Sequence, residues 1–289
     1  MDAHKLTSSG VDWLTATAYR TRKHESFYAL GKHLLEIEAG HGNDINNWKA
    51  HGYHGLRSAG VRVGLRYDSF IVQLSDDAAH DHWREVSDAA TNITRLDLET
   101  TFEFDRPQRG YIRHNFKLAK QHKSGRGRRR NLGIIENTIK GDTLYAGART
   151  SDVFARYYDK GMEARVAPKG KLFRNEVEFK RDMASHILSE LREATDANAR
   201  AHGIVSRHFE RLGLETPAYS GDNRESARAR LTSDNSRRMR WLASSVRPTV
   251  ETLIKSGKLS EVLDALGLAS MVQPLAIDGH TDEGEYEDA

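Results

Sequence analysis

Tyr158 stands between Arg156 and Lys160 in the segment Val153-Phe154-Ala155-Arg156-Tyr157-Tyr158-Asp159-Lys160. A phenol with a pKa of about 10 is a weak nucleophile at neutral pH. Neighbouring cations stabilise both the phenolate and the charge that builds on a phosphorus under attack. Arg156, Lys160 and a metal ion are the groups that could supply this. If the segment is a strand, Val153, Ala155 and Tyr157 share one face, and Phe154, Arg156 and Tyr158 share the other. The chemical face therefore carries Tyr158, and Tyr157 points to the core. The plainer reading is that Tyr158 is a structural strand tyrosine.

Two further segments concentrate acids. In Leu172–Lys180 the side chains of Arg174, Glu176, Glu178 and Lys180 alternate onto one face, opposite Phe173, Val177 and Phe179, with Asn175 the polar exception. In Asn92–Phe104, Arg95, Asp97, Glu99, Thr101 and Glu103 share a face opposite Leu96, Leu98, Phe102 and Phe104. Should the two strands adjoin, Asp97, Glu99, Glu176 and Glu178 converge. Clustered carboxylates raise one another's pKa unless a cation neutralises them. Oxygen ligands select a hard ion, Mg²⁺ or Mn²⁺. Ion pairing with Arg95, Arg174 and Lys180 on the same faces is the alternative, and the pattern leaves both open.

The elements that must hold these residues read as α+β, with a mostly antiparallel central sheet, flanking helices and a smaller helical C-terminal part. Val11–Ala18 opens as a strand. Ser26–Ala39 is helical, with Phe27, Leu30, Leu34 and Ile37 on one stripe and Gly40 past its end. Trp48–Leu74 is strand-rich, with the strand runs 48–55, 57–67 and 69–75 set apart by glycine-containing turns, and Ser75 starts a helix as N-cap before two aspartates. Helices return at Asp182–Glu193 and Asp196–Leu212. The chain divides on this reading into an α+β domain (1–215), a helical basic part (216–277) and a disordered acidic tail (278–289). No internal repeat is evident. His80 and His82, two apart on a helix, point about 200° away from each other and read as surface histidines. His51 and His54 beside Tyr53 read as loop or groove residues.

Charge narrows the partners. The net charge is +3, but the last twelve residues, from Asp278, carry six acids and no Lys or Arg, which leaves +9 on the rest. A basic body suits a nucleic-acid binder. The stretch 117–130 holds seven basic residues, Lys117, Lys120, Lys123, Arg126, Arg128, Arg129 and Arg130, with two glycines. It reads as a flexible loop that grips phosphates. Arg237, Arg238, Arg240 and Arg247 surround Trp241 in a helical pattern suited to groove reading. The chain has no cysteine, which excludes thiolate catalysis, disulfides and cysteine-bound zinc. The opening residues Met1–Gly10 lack the charged and apolar regions expected of a signal peptide, and no apolar run approaches the ~18–20 residues that span a bilayer. A cytoplasmic setting without membrane partners is expected.

Three blocks carry a resemblance to a known family: Thr94-Arg95-Leu96-Asp97-Leu98; Gly147 through Ser151-Asp152 to Arg156-Tyr157-Tyr158-Asp159-Lys160 and Glu163; and Arg174 through Asn175-Glu176-Val177-Glu178 to Met183. In these the chain resembles the Rep_trans replication initiators of rolling-circle plasmids, with relatives among phage initiators and integrative-element relaxases. The resemblance implies an enzyme that nicks one strand of a double-strand origin, keeps the 5′-phosphate on a tyrosine, frees a 3′-hydroxyl for priming and later religates. It assigns the nucleophile to Tyr158 and the acidic positions to Asp97, Glu176 and Glu178, with Glu99 or Glu103 completing the set. The partners it implies are origin DNA, duplex or cruciform with a single strand at the nick, a host replicative helicase and a second copy in a homodimer. A mobilisation relaxase, a non-catalytic DNA-binding protein and a metal nuclease that uses activated water are the competing classes.

Overall fold

The computed structural model describes residues 4–122, 131–214, 252, 253, 255–258 and 261. The chain divides into two compact units, Met1–Ala229 and Arg230–Ala289. The first is the expected α+β domain, built on one ten-stranded antiparallel sheet. In the second, Thr252, Leu253 and Lys255 are helical, and Ser256 Oγ donates to the Leu253 carbonyl at 2.8 Å. The remainder of the expected C-terminal part, including Trp241, Arg247 and the tail, lies outside the described residues.

The sheet is two copies of one winding. A long strand β1 (His4–Tyr19) leads through α1 (Glu25–Gly40) to the meander β2 (Asn46–Ala50), β3 (Tyr53–Ser58), β4 (Val61–Leu65) and β5 (Ser69–Ser75), then α2 (Asp76–Ala89). A second long strand β6 (Asn92–Phe104) leads through α3 (Tyr111–Gln121) to β7 (Leu132–Ile135), β8 (Thr143–Ala146), β9 (Val153–Asp159) and, after α4 (Lys160–Ala164), β10 (Leu172–Lys180). Helices α5 (Asp182–Glu193) and α6 (Ala197–Arg211) follow. Across the sheet the order is β2-β3-β4-β5-β1-β6-β10-β9-β8-β7. Each meander returns to lie beside its own long strand, and β1 and β6 form the seam. This repeat is one of topology, so the sequence shows no trace of it.

One sheet face is apolar and covered by helices. Leu14 and Ala16 of β1, Leu96, Leu98 and Phe102 of β6, Tyr157 of β9 and Val177 of β10 are almost fully buried there with Phe27, Leu34, Leu188, Val205 and Phe209 from the helices. Burying side chains of this size stabilises the fold by roughly 1.5–3 kcal/mol each. The other face is open and polar. A bulge in β1 between Val11 and Trp13 adds Asp12 as an extra residue, which brings both Asp12 and Trp13 to the open face.

Several local expectations need correction. The run 48–55 is not one strand, because His51 and Gly52 both take positive φ (51° and 78°) and make a two-residue hairpin turn. Ser75 precedes α2 but makes no side-chain cap. Its hydroxyl donates instead to the Gly60 carbonyl at 3.4 Å, while Asp76 turns to φ 54°. Helices α3 and α4 and strand β7 were not anticipated. The expected loop 117–130 begins as helix, since Lys117 and Lys120 lie on α3.

Candidate active site

Adjacent strands decide which charges meet. In the β6/β10 ladder Asp97 lies opposite Glu178 and Glu99 opposite Glu176. In the β10/β9 ladder Glu176 faces Arg156 and Arg174 faces Tyr158. Like charges directly opposite destabilise a sheet, and arginines from the same three strands offset this. Arg95 forks onto Asp97, with Nε to Oδ1 at 2.8 Å and Nη2 to Oδ2 at 2.5 Å, and its Nη2 is 3.3 Å from Glu178. Lys180 holds Glu178 from the other side at 2.6 Å. Arg156 Nη2 sits between two acids, donating to Glu176 Oε1 and lying 3.5 Å from Asp97 Oδ2.

Tyr158 closes this chain. Its hydroxyl donates to Glu176 Oε2 at 3.3 Å, on the side of the carboxylate that Arg156 leaves free. Tyr157 points the other way and is fully buried in the apolar core, as alternation requires. Burial pushes the Tyr158 phenol well above its ordinary value, against the opposing influence of Arg174. Burial also pushes the Asp97 carboxyl up to about 6, with the hydrogen bond from Arg95 pulling the other way. Lys160 opens α4 on the outer side of the tyrosine, its Nζ 6.0 Å from the ring centroid and 2.9 Å from Glu163.

Glu99 belongs to a second cluster. It is fully buried; its Oε2 accepts from Thr101 Oγ1 at 2.6 Å and lies 3.4 Å from Arg174 Nε. Arg174 also grips Asp12 at 2.7 Å. Glu99 Oε1 makes no hydrogen bond, and His80 Nε2 lies 3.6 Å away. Gly10, paired with Glu99, makes that approach possible, because a Cβ there would fall 2.8 Å from the His80 ring. His80 and His82 are both half-buried and point apart as expected, His80 to the buried Glu99 and His82 to Glu85 at 3.8 Å. Sequence reasoning missed His80 because its partner sits on a strand nineteen positions on, reached only through a gap at a distant glycine. It missed Asp12 because the bulge that turns it outward has no sequence signature.

The four expected metal positions thus split. Asp97, Glu176 and Glu178 share the Arg95–Arg156 network, Glu99 stands apart, and Glu103 is drawn to Lys171 at 3.2 Å. Among the described residues no group of three or more His, Asp or Glu is arranged around a metal position. The donor set still fits a hard cation: one guanidinium nitrogen already occupies the space between Asp97 and Glu176, so two carboxylates reach a single cationic centre. Of the expected DNA contacts, Lys117 and Lys120 are exposed on α3, with Lys120 Nζ 4.4 Å from the Phe116 ring centroid. Lys123, Arg126, Arg128, Arg129, Arg130, Arg237, Arg238 and Arg240 lie outside the described residues. No helix of the described residues is long and apolar enough to cross a membrane.

No curated protein matches the chain. A solved structure titled as a rolling circle replication initiator protein from Geobacillus stearothermophilus is similar at 19% identity and a TM-score of 0.45, covering 78% of this chain and 91% of that one. The family model described as replication initiation factor, Rep_trans, matches residues 87–266. That span is more than half of the chain and takes in β6, β9 and β10 with the whole Asp97–Glu176–Tyr158 network. The chain belongs to the Rep_trans family of replication initiation factors.

Proposed function

We propose that this protein initiates rolling-circle replication by nicking one strand of origin DNA with Tyr158. The observation that carries the reading is the hydrogen bond from Tyr158 Oη to Glu176 Oε2, on a sheet face where Arg156 and Arg174 flank the same hydroxyl. In the resting protein the buried phenol is neutral. As its oxygen bonds to the scissile phosphorus, the phenolic proton passes to Glu176 Oε2, the atom that already accepts it. The bond from phosphorus to the 3′-oxygen breaks, that oxygen takes a proton from solvent water and leaves as a 3′-hydroxyl, and Glu176 returns its proton to solvent. One phosphodiester is exchanged for another and no water is consumed, so the reverse step religates. Arg156 and Arg174 stabilise charge on the phosphoryl oxygens.

Asp97 and Glu176 would hold one Mg²⁺ or Mn²⁺, with Glu178 beside them, and a bound ion would supply Lewis-acid polarisation of the phosphate. Family membership supports origin DNA as the partner, and a strand freed at its 3′ end calls for a replicative helicase. Denaturing gels of nicked DNA labelled at its 3′ end, on the fragment that carries the 5′-phosphate, test the reading. A labelled band that migrates with the protein is the expected result. A nick bearing a free 5′-phosphate would mean activated water, and no nick would mean a binding protein only.

A further inference from the structure

We infer that a groove in the amino-terminal half of the same sheet face takes an unpaired base of the strand that Tyr158 cuts, an inference that rests on the nicking reading above. The groove has a volume of about 550 Å³ and is lined among others by Thr15, Tyr19, Tyr53, Gln73, Asn92 and Arg95. It lies where β5, β1 and β6 run side by side; β1 and β5 correspond by topology to β6 and β10 of the candidate active site, and β1 and β6 form the seam between the halves. Thr15 pairs with both Gln73 and Arg95 across these ladders, so all three side chains emerge on the open face.

Its chemistry suits a nucleobase. Tyr19, at the rim, is 67% exposed, and Tyr67, in the turn between the lining residues Arg66 and Asp68, is 95% exposed. The Tyr19 ring lies 6.5 Å from that of His24, and both exposed tyrosines offer faces on which bases stack. The Arg66 guanidinium lies over the Tyr53 ring at 5.0 Å and is held there by Asp68 at 2.6 Å and Ser69 at 2.9 Å. The amide of Asn92 and the imidazole of His51, both exposed and lining the groove, present donors and acceptors to a base edge. In a duplex those edges and faces are occupied by pairing and stacking, so the occupant is single-stranded.

The groove is continuous with the site. Arg95 lines it and also forks onto Asp97, and the neighbouring Trp13 ring carries the guanidiniums of Arg95 at 4.7 Å and Arg62 at 5.0 Å from its centroid. From β1 to β9 is three strand spacings of ~4.8 Å, and the level of Arg95 is six residues of ~3.4 Å from that of Tyr158 along the strands, a diagonal of roughly 25 Å. At ~3.4 Å per stacked nucleotide, that is about seven nucleotides or fewer. A base seated in the groove would fix the register of the strand so that one phosphate arrives at Tyr158.

Fluorescence anisotropy with two labelled probes of equal length tests this: oligothymidylate, and an abasic phosphodiester that keeps the charge and removes the bases. The wild-type chain is expected to prefer oligothymidylate, and the double variant Tyr19→Ala, Asn92→Ala to lose roughly five- to hundredfold of that preference, the range for a lost stacked base, while its affinity for the abasic probe stays unchanged. Both side chains are exposed, so the fold tolerates the change, and a circular dichroism melt matching wild type verifies it. Equal wild-type affinity for the two probes, or a double variant that keeps the preference, overturns the inference. Tyr158→Phe separates the two readings: it retains the base preference here, and its effect on covalent attachment judges the nucleophile alone.

Discussion

The two halves of the sheet share a winding and differ in what they bury. Among the described residues, the buried polar side chains of the first half are hydroxyls: Ser9, Thr15, Ser58, Ser69, Ser75 and Ser87. The second half buries Asp97, Glu99 and Glu176, each at 2% exposure or less. A hydroxyl enters a protein interior at the cost of about one hydrogen bond, whereas an ionised carboxylate needs a partner charge as well. The carboxylates of β6 and β10 are accordingly threaded with Arg95, Arg156 and Arg174, and Tyr158 is hung on the end of that thread. The scaffold supplies equivalent places in the two halves, and the cost of buried charge is met by arginines only in the second.

The sharpest break in that comparison is the nucleophile. Tyr158→Phe removes one oxygen and is expected to abolish covalent attachment to DNA while origin binding stays nearly unchanged. Tyr157→Phe, whose ring keeps its core packing, is expected to cut normally. Exchanged phenotypes on a denaturing gel would shift the functional register of β9 by one residue. The carboxylates come next. Glu176→Gln and Asp97→Asn are expected to stop nicking with the fold retained, and to lose Mn²⁺ binding measured by calorimetry. Undiminished cutting by the wild-type chain in excess chelator would remove the metal from the mechanism.

A smaller effect follows from the burial of Asp97. Its folded-state pKa of about 6 lies above the ~3.9 of an unfolded aspartate. Between those values the folded chain binds more protons than the unfolded one, so stability falls as pH rises from about 4 to about 6. The total change over that range amounts to about 2–3 kcal/mol from this one group. Asp97→Asn, which cannot titrate, is expected to flatten that part of the urea-unfolding profile. An unaltered profile would mean that Asp97 is ionised throughout. The smallest effect concerns affinity. Lys117→Ala with Lys120→Ala is expected to weaken origin and random duplex alike and to reduce the salt slope by about 0.9 per lost phosphate contact. Replacing Arg237, Arg238 and Arg240 by Ala should instead shrink the ratio of origin to random binding, and an unchanged ratio in competition assays would exclude those arginines as sequence readers.

Strand faces were legible in the chain because side-chain alternation is a local property of extended backbone. The division of Tyr157 to the core and Tyr158 to the charged face needed only the order of residues 153–159, and the face of Arg174, Glu176, Glu178 and Lys180 only that of 172–180. The bounds of β6 and α5 were legible for a similar reason, since each holds one period throughout. The family blocks also sit in these segments. Helix α3 was less legible, because its buried positions, Ile112, Asn115 and Ala119, include a polar residue and a small one, and its cationic end resembles a loop.

Partnership between strands was decided only by the tertiary structure. Which acid meets which arginine depends on ladder register across residues far apart in sequence, so Glu178 could be placed on a face but not assigned to Arg95 and Lys180. Glu99 reaches His80 only because β1 passes between them at a glycine, and Asp12 reaches Arg174 only because a bulge turns it. The twofold winding belongs to the same class: similar topology leaves no similar residues, since a meander asks only for alternation and turns. Local order determined which side chains could do chemistry, and long-range pairing, with the need to neutralise buried charge, decided which of them stand together.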